Sequence, residues 1–351
     1  MTQHTTTLGF EIEYLRGANI DSVLSNIREA GRTENKPALA NVSDQRSSYR
    51  TTFYTDRWVQ AYDCSCGWEI KSQPLTDTAE VQLVMKAIRQ AGGRVNSSCG
   101  LHVHMDVNNL TQAQRNTLVK LYLRYERAMD SLLPLSRRGR TTYASSNTIH
   151  TPPTTATFEA LTQCTDVYGL IRIAQRNGRY SKLNMECFRS KGTFEFRGHQ
   201  GTLNFKKIDA WSSILGALYN ACQQVTDVTP SVATFDEMLE ELLPYAPGVR
   251  AARTYNQPRP GTKGAMIWDA CDALLAGNRD AYTTTFEGRE VLAQQSLFAG
   301  LIAAELDLTL ANARTQVYRW MHNRQMHRTV SGSLNSLTSY LRRRRATLAA
   351  R

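Results

Sequence analysis

The sequence lacks several things that would assign it quickly. None of its 351 residues fall in a run approaching the roughly 18 consecutive apolar positions of a membrane span, so no membrane partner is expected. Met1 to Thr7 is polar and has no apolar signal core, which argues against export and for a cytoplasmic protein. The cysteines number seven, an odd count in a long chain, which fits reduced thiols better than a disulfide framework. There is no glycine-rich P-loop and no internal repeat, which removes the commonest phosphate cradle and the solenoid folds.

Basic residues are plentiful: 42 Lys and Arg stand against 31 Asp and Glu, a formal charge of +11. Such a balance invites a nucleic-acid reading, but the charge is uneven. Residues 1–249 carry 27 basic and 24 acidic side chains, while residues 250–351 carry 15 and 7. Pro/Gly clusters at Pro244–Gly248 and Gln257–Gly261 lie between these regions. The expected organisation is a first domain over 1–248, a linker over 249–261, a helical domain over 262–330 and a basic helix or tail over 331–351.

In the first region, Leu8–Tyr14, Trp58–Tyr62, Gly67–Ser72, Leu101–Val107, Ser181–Cys187 and Gly192–Gly198 read as strands. Helical spacing covers Asp77–Gln90, a segment opened by a Thr111–Gln114 capping box and running to about Leu133, two weaker pieces near 155–163 and 166–176, and Lys207–Val225. Residues 15–55 are polar and give no clear pattern; part of the stretch reads as loop. Irregular mixing of helices and strands that have one polar face predicts an α+β fold with an antiparallel sheet, not a doubly wound parallel one.

Four strands share one design. Glu11 and Glu13 lie on one face of the first, and Glu69 and Lys71 on one face of the second. His102, His104 and Asp106 share a face of the third. Glu195, Arg197 and, by strict alternation, His199 share a face of the fourth. Apolar residues fill the positions between. If the strands adjoin, the ionisable groups line one concavity, and carboxylates so crowded resist ionising unless cations lie among them. Carboxylates with one or two imidazoles suit Mg²⁺ or Mn²⁺, and an arginine on the same face suits phosphoryl transfer. Taken singly, Glu-x-Glu is most often a solvated strand face and Glu-x-Arg a surface ion pair; the joint pattern is what points to chemistry.

The order Gly9-Phe-Glu-Ile-Glu13, Gly67-Trp-Glu69, Cys99-Gly-Leu-His-Val-His104, Tyr180-Ser-Lys-Leu-Asn184, Gly192-Thr-Phe-Glu-Phe-Arg197 and Gly201-Thr-Leu-Asn204 resembles the amidoligases. These are carboxylate–amine ligases of the glutamine synthetase and glutamate–cysteine ligase superfamily. The resemblance covers about residues 5–225. It implies a part-barrel antiparallel sheet with outer helices, and amide formation driven by ATP through an acyl phosphate, with release of ADP and phosphate. It assigns Glu11, Glu13, Glu69, His102 and Glu195 to Mg²⁺ or Mn²⁺, and Arg197 to phosphoryl transfer. Glu195 and His104 join Arg197 as catalytic candidates, His104 as a ligand or a substrate contact. Arg179, Lys182, Asn184 and Arg137 are candidates for holding nucleotide or carboxylate. The substrates would be a carboxylate and an amine, each a small molecule, a peptide or a modified nucleotide.

Cys64, Cys66, Cys99 and His102 could form a zinc set, although Cys-x-Cys is tighter than the usual spacing, and free thiols are the simpler reading. In the last third, Gly264–Leu275, Glu290–Leu306 and Leu310–Arg324 read as helices. The third buries Leu310, Ala313, Val317 and Trp320 and presents Arg314, Gln316, Arg319, Asn323 and Arg324. That arrangement resembles a helix-turn-helix and makes DNA a possible partner of a small all-α C-terminal domain. Two other readings stay open: a zinc hydrolase built on the same face, and a DNA-binding protein with a degenerate ligase-like sensor.

Overall fold

A computed structural model describes residues 3–47, 54–138, 142–247, 258, 262–277, 283–286, 289–292, 295–309, 313, 316–317, 320 and 332–349. The chain divides into two units, one of residues 1–248 with 337–351 and one of residues 249–336.

In the first unit, alternation of apolar and ionisable residues produces the expected strands. These are β1 (Gln3–Leu15), β2 (Ser43–Gln45), β3 (Val59–Asp63), β4 (Gly67–Lys71), β5 (Leu75–Asp77), β6 (Gly100–Asp106), β7 (Leu183–Asn184) and β8 (Thr193–Gln200). They form one open sheet in the order β2-β3-β4-β1-β6-β8-β7, with β5 also pairing β1. Every pairing is antiparallel except β2 with β3.

Register carries the alternation from strand to strand. Ile12 lies between Ile70 and Leu101, and Phe10 beside Val103, which in turn pairs with Phe196. These side chains are almost fully buried. Two long helices meet each other within this unit: α4 (Gln112–Asp130), opened by the expected Thr111–Gln114 capping box, and α8 (Phe205–Cys222), capped by Asn204. Burial of their apolar residues, Leu118, Tyr122, Ile208 and Leu215 among them, stabilises this layer by roughly 1.5–3 kcal/mol for each large side chain.

The structure differs from expectation in four places. Residues 15–55, which gave no clear pattern, hold a helix: α1 (Ile20–Thr33) is capped by Asn19 and buries Ile20, Val23, Leu24 and Ile27. The expected strand Ser181–Cys187 shrinks to the two residues of β7; the chain turns at Glu186 and Cys187 into α7 (Phe188–Lys191). That short helix ends at Gly192 with φ +68, where a Cβ would run into the Asn108 side chain.

The third difference is a bulge. Leu101 pairs with His199 but Val103 pairs with Phe196, so β8 carries an extra residue opposite His102. The extra residue reverses the face of everything beyond it. His199 therefore joins the buried apolar side, 5.1 Å from the Trp211 ring, and leaves the face it would share with Glu195.

The fourth lies in the second unit. Helix α10 (Lys263–Gly277) forms as expected, but Glu290 does not open a helix. Thr283–Phe286 and Arg289–Leu292 pair as an antiparallel hairpin, β9 and β10, and the next helix spans Gln295–Glu305. The unit is therefore not all-α. The β-branched Thr283, Thr284, Thr285 and Val291 favour strands over a helix in these segments. Ile267, Trp268, Cys271, Ala299, Ile302, Ala313, Val317 and Trp320 form its core. Arg314, Arg319, Asn323 and Arg324, the expected outward face of a third helix, lie outside the described residues.

The chain's final helix spans Gly332–Ala349. Its last arginines belong to the first unit and bond within it: Arg344 Nε donates to Leu132 O at 2.8 Å, and Arg345 sits over the Phe235 ring. Among the described residues, no helix is long and apolar enough to cross a membrane.

Candidate functional site

The face opposite the apolar side gathers the ionisable residues. Register sets Lys71, Glu11 and His102 in one row across β4, β1 and β6, with Glu13 beside Glu69. The next row sets His104, Glu195 and Asn184 across β6, β8 and β7. All four glutamates and both histidines are buried.

The contacts are dense. His102 Nδ1 lies 3.3 Å from Glu11 Oε2 and 3.6 Å from Glu195 Oε1, and its Nε2 lies 3.4 Å from Glu13 Oε1. His104 Nε2 approaches Glu11 at 3.2 Å, and its Nδ1 lies 3.0 Å from Thr193 Oγ1. Arg197 Nη1 donates to Glu195 Oε1 at 2.6 Å, and Asn184 Nδ2 donates to the other oxygen at 2.7 Å. Gln175 Nε2 fixes Asn184 by donating to its Oδ1 at 2.9 Å. Gly100 N–H donates to Glu13 Oε2 at 2.6 Å. A Cβ at Gly100 would lie 2.8 Å from His102 Nε2, so the glycine leaves room for the imidazole.

The electrostatics follow from crowding. Burial alone would push Glu11 up, but Lys71, His104 and the hydrogen bonds from both histidines hold it well below the usual carboxylate range. Glu69 behaves oppositely: burial and the Glu11 charge push it up to about 8 despite Lys71 at 2.6 Å. Burial also works against an ionised Glu195, yet His104 and Arg197 hold it low. Burial and Arg197 disfavour a charged His102, but the surrounding Glu11, Glu13 and Glu195 raise it. The cluster thus retains protons that a cation would displace.

Among the described residues, four donor sets have ligand atoms within 4.8 Å of one another: Glu11, His102 and Glu195; Glu13, Glu69 and His102; and two that include a thiol, His104, Cys187 and Glu195, and Glu13, Asp63 and Cys66. The first two share His102 and hold no sulfur. Carboxylate oxygens with one shared imidazole are hard donors, and they fit Mg²⁺ or Mn²⁺.

The remaining candidates separate. Arg137 is buried at the rim, donating to the Cys99 and Ser97 carbonyls. Arg179 is exposed, its guanidinium 5.1 Å from the Tyr180 ring centroid. Lys182 does not face the cluster; it is 1% exposed and donates to both Asp130 oxygens at 2.6 and 2.7 Å. Two residues of this face were missed by sequence reasoning. Lys191, at the end of α7, lies 3.7 Å from Glu11 Oε1, and Cys187 Sγ lies 3.4 Å from Glu195 Oε2. Their signal was Gly192, which turns the chain between them and β8.

Cys64, Cys66, Cys99 and His102 are not gathered into one ligand set. Cys64 is exposed, whereas Cys66 and Cys99 are buried; Cys66 Sγ lies 3.4 Å from Asp63 Oδ1 and Cys99 Sγ 3.7 Å from Asn96 Oδ1. The influence of Cys66 brings Cys99 down to about 7 against the effect of burial.

A protein-family profile described as "Putative amidoligase enzyme" matches residues 4–218, more than half of the chain and all strands of the first unit. No curated protein matches the sequence.

Proposed function

We propose, from the premise that this chain belongs to the amidoligase family, that it joins a carboxylate to an amine at the expense of ATP. ATP would phosphorylate the substrate carboxylate, the amine would displace phosphate from the acyl phosphate, and ADP and phosphate would leave. One observation carries the reading: two hard donor sets sharing His102 lie beside an arginine already hydrogen-bonded to Glu195.

Glu11, Glu13, Glu69, His102 and Glu195 would hold Mg²⁺ or Mn²⁺, which when bound neutralises phosphate charge. The other roles belong to the chain itself. Arg197 stabilises charge on the transferred phosphoryl group. Asn184, fixed by Gln175, keeps Glu195 oriented from its far oxygen. His104 spans Glu11 and Thr193 and contacts the acceptor substrate. Lys71 and Lys191 partly balance the charge of Glu11.

The test is an ADP-release screen over pairs of carboxylates and amines, with mass spectrometry of the products. Release that requires both partners and yields an amide supports the ligase. Bond hydrolysis that proceeds without nucleotide defeats it.

A further inference from the structure

The geometry points to Lys191 as a further catalytic residue, one that exchanges Glu11 for the terminal phosphate of the bound nucleotide. The inference rests on the ligase reading above and adds to it the contact that tells a triphosphate from a diphosphate.

Three cations surround the glutamates, and they arrive differently. Lys71 Nζ lies 2.6 Å from Glu69 Oε2 and Arg197 Nη1 lies 2.6 Å from Glu195 Oε1; each side chain is 14% exposed. Both stand on strands of the sheet. Lys191 comes from outside the sheet, at the last position of α7. Its Nζ lies 3.7 Å from Glu11 Oε1, and its side chain is 29% exposed, the least buried of the three. At that distance the Glu11 pair is a charge contact, so exchanging Glu11 for another anion breaks no hydrogen bond between the two.

The root of the side chain is fixed. Phe188, at the start of α7, packs edge-on against Phe194 with ring centroids 6.3 Å apart, and the Arg115 guanidinium lies 4.8 Å from its ring centroid. Lys191 N–H donates to Cys187 O and Gly192 N–H to Phe188 O, both at 2.9 Å. An anchored backbone with a flexible four-carbon stem lets the ammonium move while its origin stays in place.

Where it can act follows from Arg197. Lys191 approaches Glu11 Oε1 and Arg197 holds Glu195 Oε1, and both oxygens are neighbours of His104 Nε2, at 3.2 and 3.8 Å. The two cations therefore reach one small region, where Glu11, His102 and Glu195 also offer a metal-ligating set. A phosphate held there by a divalent cation lies within reach of both the guanidinium and the ammonium. The same divalent cation satisfies Glu11, which releases the ammonium to the phosphate. Lysine suits the exchange because its ammonium is a compact charge with three rotatable donors.

The test is calorimetric titration of the full chain, with Mn²⁺ present, against ATP, ADP and inorganic tripolyphosphate. Wild type should bind ATP and tripolyphosphate more tightly than ADP. Lys191→Met should weaken ATP and tripolyphosphate by about tenfold or more, and ADP by less than about twofold. Lys191→Arg should restore most of the preference for ATP. Mn²⁺ alone should bind Lys191→Met at least as tightly as wild type, because a cation competing for Glu11 is gone, and that result also shows the variant to be folded. If Lys191 only balances Glu11, Lys191→Met keeps the wild-type preference for ATP over ADP, and the proposal falls while the ligase reading stands. Equal weakening of ATP and ADP, or weakening of ATP with tripolyphosphate unchanged, overturns it in the same way. A wild type that binds neither ATP nor tripolyphosphate overturns the ligase reading and this proposal together.

Discussion

The first unit contains two buried charge clusters, and they are wired differently. In one, Lys182 Nζ donates to both Asp130 oxygens, and Glu126 accepts from the backbone N–H groups of Asn147 and Thr148 at 3.0 and 2.8 Å. In the other, Glu11 meets His102, His104, Lys71 and Lys191, and Glu69 meets Lys71; Glu13 and Glu195 mix such partners with amide donors. Backbone donors cannot leave and cannot titrate, and the Lys182 ammonium of the first cluster is 1% exposed and bonded to both oxygens of Asp130, so that cluster is closed. Side-chain cations and imidazoles can move or lose their protons, so the second is open to replacement by a bound cation. A buried ion pair alone therefore says little about function; the identity of its partners says more.

The sharpest break in the comparison comes from charge removal in each cluster. Glu195→Gln should lower the rate of ADP release by on the order of 10³-fold while the protein stays folded, as judged by its denaturant midpoint. Lys182→Met should do the reverse. It leaves Asp130 and Glu126 without their shared ammonium, costs about 3 kcal/mol in urea unfolding, and spares the rate per folded molecule. Loss of activity in Lys182→Met without loss of stability would return Lys182 to the substrate site and erase the distinction.

A smaller effect distinguishes buried groups by pH. Burial, aided by the Arg344 charge, lowers His199 from 6.5 to about 3, so the native state keeps it neutral. Its stabilising contribution is present above pH 6.5 and is lost as pH falls toward 3. Over pH 6.5 to 5 the loss is about 2 kcal/mol. Glu69, raised to about 8, acts with the opposite sign: the native state holds its proton, and that contribution disappears as pH rises toward 8. Comparing wild type with His199→Gln cancels the Glu69 contribution, since both proteins contain it. The difference in unfolding free energy should shrink by about 2 kcal/mol between pH 6.5 and 5. A flat difference would show that His199 is not held neutral.

How much of this could be read in the sequence depends on whether the signal was local. Period-two alternation placed Glu11, Glu13, Glu69, His102, His104 and Glu195 on strand faces, and the structure gathers all six on one sheet face. The bulge opposite His102 is a property of pairing between two strands, so nothing within Gly192–His199 announced that His199 would cross to the other side. Lys191 was hidden for a related reason: a strand was expected up to Cys187, and the short α7 depends on the left-handed Gly192. The Thr283–Leu292 hairpin was overlooked because Glu290 was assigned to the helix that follows.

Helix α1 is the instructive omission, because its signal was present. Asn19 is a good cap, Ile20, Val23, Leu24 and Ile27 keep helical spacing, and Asp21 sits in the first turn, yet the surrounding polarity of residues 15–55 concealed them. This gives the mildest test, well away from both clusters. Asn19 Oδ1 accepts from Ser22 N at 3.0 Å, and Asn19→Ala removes that bond for a loss of about 1 kcal/mol by urea unfolding. Its effect on ADP release should be negligible, because α1 contributes no side chain to the glutamate face. A large effect on the rate would mean that the open cluster is held in place by the helix layer as well as by its own strands, and the contrast between a closed structural cluster and an exchangeable one would then need to include α1.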